Sequence, residues 1–139
     1  MDADGHIEPV LIGAHSNIQD GVVIHSKSGA PVTIGQRTSI AHRAIVHGPC
    51  TIGGDVFIGF NSILFDCTVD AGCVVRFNAV VDGCHLPPNF HVPSTARIGR
   101  ETDLSSLPRV SVDASEFSED VARTDNELVS GYKLIKNEF

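Results

Sequence analysis

A six-residue aliphatic period dominates this chain and limits the folds that it can adopt. Aliphatic residues recur six apart in five triplets: Ile12, Ile18, Ile24; Ile34, Ile40, Val46; Ile52, Ile58, Leu64; Val69, Val75, Val81; and Leu86, Val92, Ile98. A repeat of this kind indicates stacked units that bury their apolar faces against their neighbours. Three hexapeptides describe one triangular coil with an inward side chain on each side. The sequence therefore predicts an all-β solenoid, a parallel β-helix of hexapeptide repeats, over residues 1–100.

The coil spacing also predicts which residues stack on one another. The last three of the four steps between coils are 18, 17 and 17 residues long, and the first is longer because "SKSGA" forms a bulge. Cys50, Cys67 and Cys84 recur 17 residues apart, which predicts a column of small corner residues rather than a redox site. Phe60 and Phe77 are expected to stack one coil apart as packing.

A helix is predicted after the repeat ends. Residues 101–112 are expected to form a linker, and residues 113–139 a C-terminal helix packed on the coils. Asp113 is a suitable N-cap with Glu116 three residues later, and Gly131 is a suitable stop. The apolar positions of this helix are Phe117, Val121, Leu128 and Tyr132.

Composition and charge exclude several functional classes. The net charge of −7 argues against a nucleic-acid partner, which requires a basic surface. No apolar run approaches the roughly 20 residues that cross a bilayer, so we expect no membrane association. The start "MDADGHIEPV" lacks the features of a signal peptide, and the four cysteines form no C-x-x-C pair. We therefore expect a cytoplasmic protein.

Two histidines are predicted to occupy one column of the solenoid. His25 and His47 each follow the third inward residue of their coil, so they lie on adjacent strands about 4.8 Å apart at the backbone. Imidazoles in that arrangement can reach one metal ion with bonds of about 2.0–2.1 Å. The pair is thus a candidate for two metal ligands.

A third histidine lies on another side of the triangle. His42 follows the second inward residue of its coil by two and precedes His47 by five. Five extended residues span up to about 16 Å, so His42 points away from the His25–His47 column of its own chain. It could complete a three-histidine site only from a neighbouring chain. A homotrimer would form three such interfaces and hold three metal ions.

Three histidines with an open fourth position form a catalytic rather than a structural zinc site. Such a site makes a hydroxide nucleophile from water near neutral pH. Asn17, Gln19 and Asp20 flank the second inward residue of the first coil, and the Gln19 amide could orient the water or a bound anion. The alternative interpretation is that these are surface histidines, or that one of them is the base of an acyltransferase without a metal.

Three segments resemble the gamma-class carbonic anhydrases. They are "NIQDGVVIH" (17–25), "SIAHRAIVHGP" (39–49) and "FIGFNSILF" (57–65). The similarity runs from about Pro9 through Ile98, and weakly through the helix that ends in "ELVSGYK". It is greatest to the amino-terminal domain of the carboxysome scaffold protein. The resemblance implies a left-handed β-helix, a homotrimer and the hydration of carbon dioxide to bicarbonate. It also implies association with a carboxysome as a possible setting.

The resemblance assigns roles to individual residues. Its three metal ligands correspond to His25, His42 and His47, and its metal-site glutamine corresponds to Gln19. Its interface aspartate and asparagine correspond to Asp20 and Asn17. The resemblance implies zinc, with iron or cobalt as alternatives.

Three features of the family differ here. Its R-x-D-E-G segment has only "MDADG" as a counterpart, in which Asp4 stands for the glutamate and no arginine occurs. Its acidic loop after the first histidine is replaced by the short "SKSGAPV". Its helix asparagine corresponds to Asp125 or Asn126. A trimeric assembly module without useful activity is therefore the alternative function, and a hexapeptide acyltransferase with His42 or His47 as base is a third.

Overall fold

The computed structural model describes residues 5–6 and 8–136, without the side chains of residues 118, 122, 125, 126, 132 and 134–136. Within these residues the chain forms short strands, one 3₁₀ turn and one long helix. The strands are β1 (Val10–Ile12), β2 (Asn17–Ile18), β3 (Val23–His25), β4 (Val32–Ile34), β5 (Ser39–Ile40), β6 (Ile45–Ile52), β7 (Phe57–Ile58), β8 (Ile63–Val69), β9 (Val74–Val75), β10 (Val80–Asp82), β11 (His85–Leu86), β12 (His91–Val92) and β13 (Arg97–Ile98).

The strands stack in parallel on three faces of a solenoid. The histidine face contains β3, the first halves of β6 and β8, then β10 and β13. The helix face contains β2, β5, β7, β9 and β12. The cysteine face contains β1, β4, the second halves of β6 and β8, and β11. The predicted parallel β-helix is confirmed.

The inward column of each face forms the core. On coils two to five every inward aliphatic side chain is at most 2% exposed. These residues are Ile34, Ile40, Val46, Ile52, Ile58, Leu64, Val69, Val75, Val81, Leu86, Val92 and Ile98. Coil one differs, because Ile12 and Ile18 are 47% and 37% exposed. Both pair in register with the next coil, at Ile34 and Ile40, and only one side of coil one is covered within the described residues.

The corners of the coils explain the irregular first step. Lys27 and Ala30 exchange backbone hydrogen bonds of 3.3 and 2.8 Å, which close a small loop between β3 and β4. This loop is the predicted "SKSGA" bulge. At the corner that precedes the histidine face, the chain turns through a residue of positive φ on every coil, an unusual conformation for any residue except glycine. These residues are Gly21, Arg43, Asn61, Asn78 and Thr95.

A 3₁₀ turn (Leu104–Ser106) connects the solenoid to α1 (Val112–Lys136). The helix begins earlier than expected, because Ser111 Oγ accepts from the backbone N–H of Ala114 and so caps it. The predicted Asp113 cap was wrong, and so was the stop, since Gly131 lies inside the helix.

The helix packs on the helix face through its first half. The Phe117 ring lies edge-on to Phe57 at 5.5 Å, and Val121 packs in the same cluster. Leu128 was expected on the apolar face but is 52% exposed, and the Tyr132 side chain lies outside the described residues. No described helix has the length and apolar character needed to cross a bilayer.

Candidate metal centre

His25 and His47 are neighbours on the histidine face. Strands β3 and β6 place them directly opposite each other in a parallel register. Their ring centroids are 4.8 Å apart, and His25 Nδ1 lies 3.1 Å from His47 Nε2. The predicted stacking of these residues is therefore confirmed, whereas their role as metal ligands stays a prediction.

A backbone contact fixes which nitrogen of His47 faces His25. His47 Nδ1 lies 2.8 Å from the carbonyl oxygen of Gly48, which can only accept, so Nδ1 carries the proton and donates. In the neutral ring, Nε2 is then the acceptor, and its lone pair is directed at His25 Nδ1. A carbonyl that orients a histidine in this way is typical of metal sites.

The spacing of the two nitrogens fits a metal ion. Two nitrogen ligands of a tetrahedral zinc ion, each about 2.0–2.1 Å from it, lie about 3.3 Å from each other. The observed separation of 3.1 Å is close to this value. The hydrogen bond that joins the two rings therefore occupies the place in which a shared cation would fit.

His42 lies at the corner before the histidine face, on the same coil as His47. Its backbone N–H donates to Gln19 Oε1 at 3.2 Å, and its ring rests against Phe60 with centroids 5.5 Å apart. The side chain is exposed. Across the described part of the chain, no three histidine, cysteine or carboxylate side chains come together as a metal site. The described side chains of the protomer therefore supply no third ligand for the His25–His47 pair.

The other predicted site residues divide between two places. Gln19 belongs to the corner of His42, and the backbone carbonyl of the exposed Asp20 accepts from Arg43 N–H at 3.1 Å in that corner. Asn17 lies on β2 of the helix face, in register with Ser39. Asp4 lies outside the described residues, as do the side chains of 125 and 126.

Sequence reasoning missed two aromatic neighbours of the histidines. Phe65 follows His47 in the same column, with ring centroids 5.0 Å apart, and Phe60 supports His42. The stacking of Phe60 on Phe77 was predicted and is confirmed, at 4.6 Å. The coil step of 18 residues gives both contacts, since Phe60 and Phe65 follow His42 and His47 by 18.

Exposed aliphatic residues form a second column on the histidine face. Val23, Ile45 and Ile63 pair in register, and they are 52%, 38% and 39% exposed. Each lies two residues before His25, His47 or Phe65, so both columns point outward from the same strands. The histidine pair thus lies at the edge of an apolar surface.

The cysteine column lies on a different face. Cys50 and Cys67 are in register and buried, with their Sγ atoms 3.6 Å apart. The hydrogen bond between the two thiols, together with burial, raises the pKa of Cys67 far above its usual range. Burial likewise raises the pKa of Cys73 and Cys84. These thiols are poor nucleophiles, as expected of packing residues.

Comparisons with known proteins show which proteins this chain is similar to. A scan of family models finds none that matches. The carboxysome assembly protein CcmM of Nostoc sp. is 36% identical over 134 residues, which cover 89% of this chain and 24% of that protein. The carbonic anhydrase of Methanosarcina thermophila is 30% identical over 146 residues, which cover 90% of this chain and 59% of that protein. The chain therefore spans less than two thirds of the length of these relatives.

Among solved structures, a hexapeptide transferase family protein from Anaplasma phagocytophilum is similar with a TM-score of 0.56. The match covers 88% of this chain and 81% of that one, at 23% identity, and supports the fold alone. The sequence relatives extend over both histidine-bearing coils and the strands that follow. By this similarity the chain belongs to the gamma carbonic anhydrase family, in which its relatives include the carboxysome assembly protein CcmM.

Proposed function

We propose that this protein catalyses the reversible hydration of carbon dioxide to bicarbonate at metal sites shared between the protomers of a homotrimer. The observation that carries the proposal is the His25–His47 pair, whose facing nitrogens are 3.1 Å apart. Each site would take this pair from one protomer and His42 from the next. The relative named carbonic anhydrase supports the reaction.

The apolar surface beside the histidines supports the trimer. Val23, Ile45 and Ile63 form an exposed aliphatic stripe on the histidine face. Contiguous apolar surface of this kind typically marks an interface. Cyclic symmetry with an axis parallel to the solenoid keeps equivalent coils at equal height. His42 of coil two then arrives at the level of the His25–His47 pair, at coils one and two.

Zinc is the cofactor that we propose, with iron or cobalt as alternatives, because three imidazoles suit each of these ions. A zinc ion with three histidines and an open position supplies the Lewis acidity that turns water into a nucleophile near neutral pH. The carbonyl of Gly48 holds the His47 ring in the orientation that presents Nε2. The chain's own contribution is thus the fixed position of these ligands.

Gln19 is proposed to orient substrate or product. Its Oε1 atom accepts from the His42 backbone N–H, and the NH₂ group is the half of an amide that donates to an oxygen such as those of bicarbonate. The contact ties this amide to the corner that would enter the neighbouring site. Asp20 is proposed as an interface carboxylate in that corner, and Asn17 and Asp4 stay predictions from the family resemblance.

An assembly function without useful turnover is the second candidate. It is favoured by the 36% identity to a protein named as a carboxysome assembly protein, of which this chain spans about a quarter. Association with a carboxysome in the cytoplasm is therefore the setting that we propose for either function.

The two functions are separated by native mass, metal content and stopped-flow carbon dioxide hydration on the same preparation. Three metal ions per trimer together with carbon dioxide hydration would support the enzymatic function. Three metal ions without turnover support the assembly module. His25→Ala should abolish both metal and turnover, whereas His85→Ala, which removes only an exposed pair with Asp70, should change neither. A monomeric chain, or a metal-free chain, would overturn the shared site.

A further inference from the structure

Two half-exposed aromatic rings lie one coil beyond the histidines. Phe65 contacts His47 with ring centroids 5.0 Å apart, and Phe60 contacts His42 with centroids 5.5 Å apart. The two phenylalanines are 41% and 38% exposed in the protomer. Exposed aromatic side chains beside candidate ligands call for an explanation, because packing of the protomer's own core does not bury them.

The orientation of Phe60 is fixed from behind. Phe77 stacks on it with centroids 4.6 Å apart and planes only 9° from parallel. The Arg76 guanidinium carbon lies over the Phe77 ring, 4.4 Å from its centroid. His42, Phe60 and Phe77 therefore form a continuous ladder of rings along the corner, and the imidazole at its end has a defined support.

The trimer would bring the two rings to one place. Phe60 and Phe65 lie on coil three, one level beyond the coil that carries His42 and His47. A rotation that places His42 beside a neighbour's histidine pair therefore also places Phe60 beside that neighbour's Phe65. In the trimer the two aromatic rings would therefore meet next to the three imidazoles, on the coil-three side of the site.

We propose that Phe60 of one protomer and Phe65 of its neighbour form the wall of the metal site on the coil-three side. They act as positioning residues, which hold the His42 and His47 imidazoles in orientation and keep water from the cation on that side. This inference rests on the proposed shared site. An apolar layer around a metal site controls solvent access, and loss of groups that orient the ligands commonly costs about 10- to 100-fold in metal affinity or activity.

The test uses Phe60→Leu and Phe65→Leu in the full chain loaded with Co²⁺. Leucine retains an apolar side chain but removes the flat ring, and the exposure of both positions in the protomer lets the solenoid fold without them. Phe117→Leu is the matched control, because Phe117 is also 41% exposed and packs on Phe57 instead. Affinity is measured by competition with a chelator, and coordination by visible absorption, which is strong for four-coordinate Co²⁺ and weak for six-coordinate Co²⁺.

Each of the first two variants should bind Co²⁺ about 10- to 100-fold more weakly and absorb less per bound ion, while the trimer and the control stay unchanged. Unchanged affinity and spectrum in both variants would overturn the inference and leave the shared site intact. A wild-type chain that is monomeric or binds no Co²⁺ would overturn the shared site itself, and this inference with it. The wild-type measurement therefore separates the two failures.

Discussion

His25 Nδ1 lies 3.1 Å from His47 Nε2 although the two residues are 22 positions apart in the chain. The contact exists because the coils stack in register, with His25 directly opposite His47 on neighbouring strands. A cation held by both residues would therefore join coil one to coil two. Coil one is the coil whose core residues Ile12 and Ile18 remain partly exposed, so it has the least apolar burial to hold it.

Metal removal should loosen coil one selectively. At a free metal concentration 100 times the dissociation constant, binding stabilises the bound state by about 2.7 kcal/mol, so exchange at β3 amides should slow by up to about 100-fold. Hydrogen exchange with mass spectrometry, with and without chelator, measures this effect. Peptides that contain β9 serve as the internal reference, because that strand lies two coils beyond the pair. Equal changes in β3 and β9, or a persistent effect in His25→Ala, would contradict the link.

Gly48→Ala should unfold the solenoid locally and displace His47. A Cβ at this position would collide with the carbonyl oxygen of Ala30 and approach that of Pro31 to 2.9 Å. Because both obstacles are backbone, the cost should be about 3 kcal/mol or more in unfolding free energy. Urea denaturation measures it. Gly131→Ala is the control, since its Cβ meets nothing within 4 Å and should stabilise α1 by about 1 kcal/mol. Equal stability of the two variants would refute the close approach.

The repeat in the sequence was sufficient to predict the coils and the columns of stacked residues. An inward position admits only aliphatic side chains, so Ile34, Val46 and Leu64 mark the register without ambiguity. The same register places His25 beside His47. The contacts of Phe65 follow from it too, but an outward aromatic residue has no obligatory partner, so its importance emerged only beside the imidazole.

The sequence signals for the two ends of the helix α1 were weaker than the repeat, because each end allowed more than one interpretation. Ser111 and Asp113 are both good helix caps, and their order along the chain does not decide between them. Gly131 could end a helix or be tolerated within one at a cost of about 1 kcal/mol. The exposure of Leu128 reflects the tertiary placement of α1, whose described side-chain contacts with the solenoid run through Phe117 and Val121. Helical periodicity alone does not contain that information.

Stability should fall as the pH rises above about 8.5, the usual pKa of a free thiol. Burial raises the pKa of Cys73, whose Sγ donates to the Pro87 carbonyl at 3.0 Å. The folded state then retains a proton that the unfolded state loses, and each such thiol costs up to about 1.4 kcal/mol per pH unit. Urea midpoints from pH 7 to 10 measure the slope. Cys73→Ala should reduce it, and an identical slope in the variant would exclude this thiol as a cause.

Ile63→Lys should convert the trimer to monomers. Ile63 is 39% exposed at the coil-three end of the aliphatic stripe, where burial against a neighbour would leave a lysine charge without water. Native mass measures the change from three chains to one. Leu128→Lys introduces the same charge at a position that is 52% exposed on α1, so this variant should remain a trimer. A trimeric Ile63→Lys protein would place the interface on another face.

Mixed trimers should recover metal from two inactive parents. A shared site needs His25 and His47 from one chain and His42 from the next, so neither His25→Ala nor His42→Ala alone can complete any interface. In a cyclic trimer that contains both variants, one of the three interfaces joins an intact pair to an intact His42, whichever variant is present twice. We therefore expect one metal ion per mixed trimer, measured by native mass spectrometry after co-expression of chains with different tags.

The control for this experiment mixes His25→Ala with His47→Ala. Both substitutions fall in the same half of the site, so no arrangement of these chains supplies an intact pair, and the mixed trimers should bind no metal. Metal in this control would mean that one imidazole of the pair is sufficient, and the 3.1 Å contact would then be packing rather than a ligand pair. Recovery in the first mixture but not in the second is the pattern that only a site divided between neighbouring chains produces.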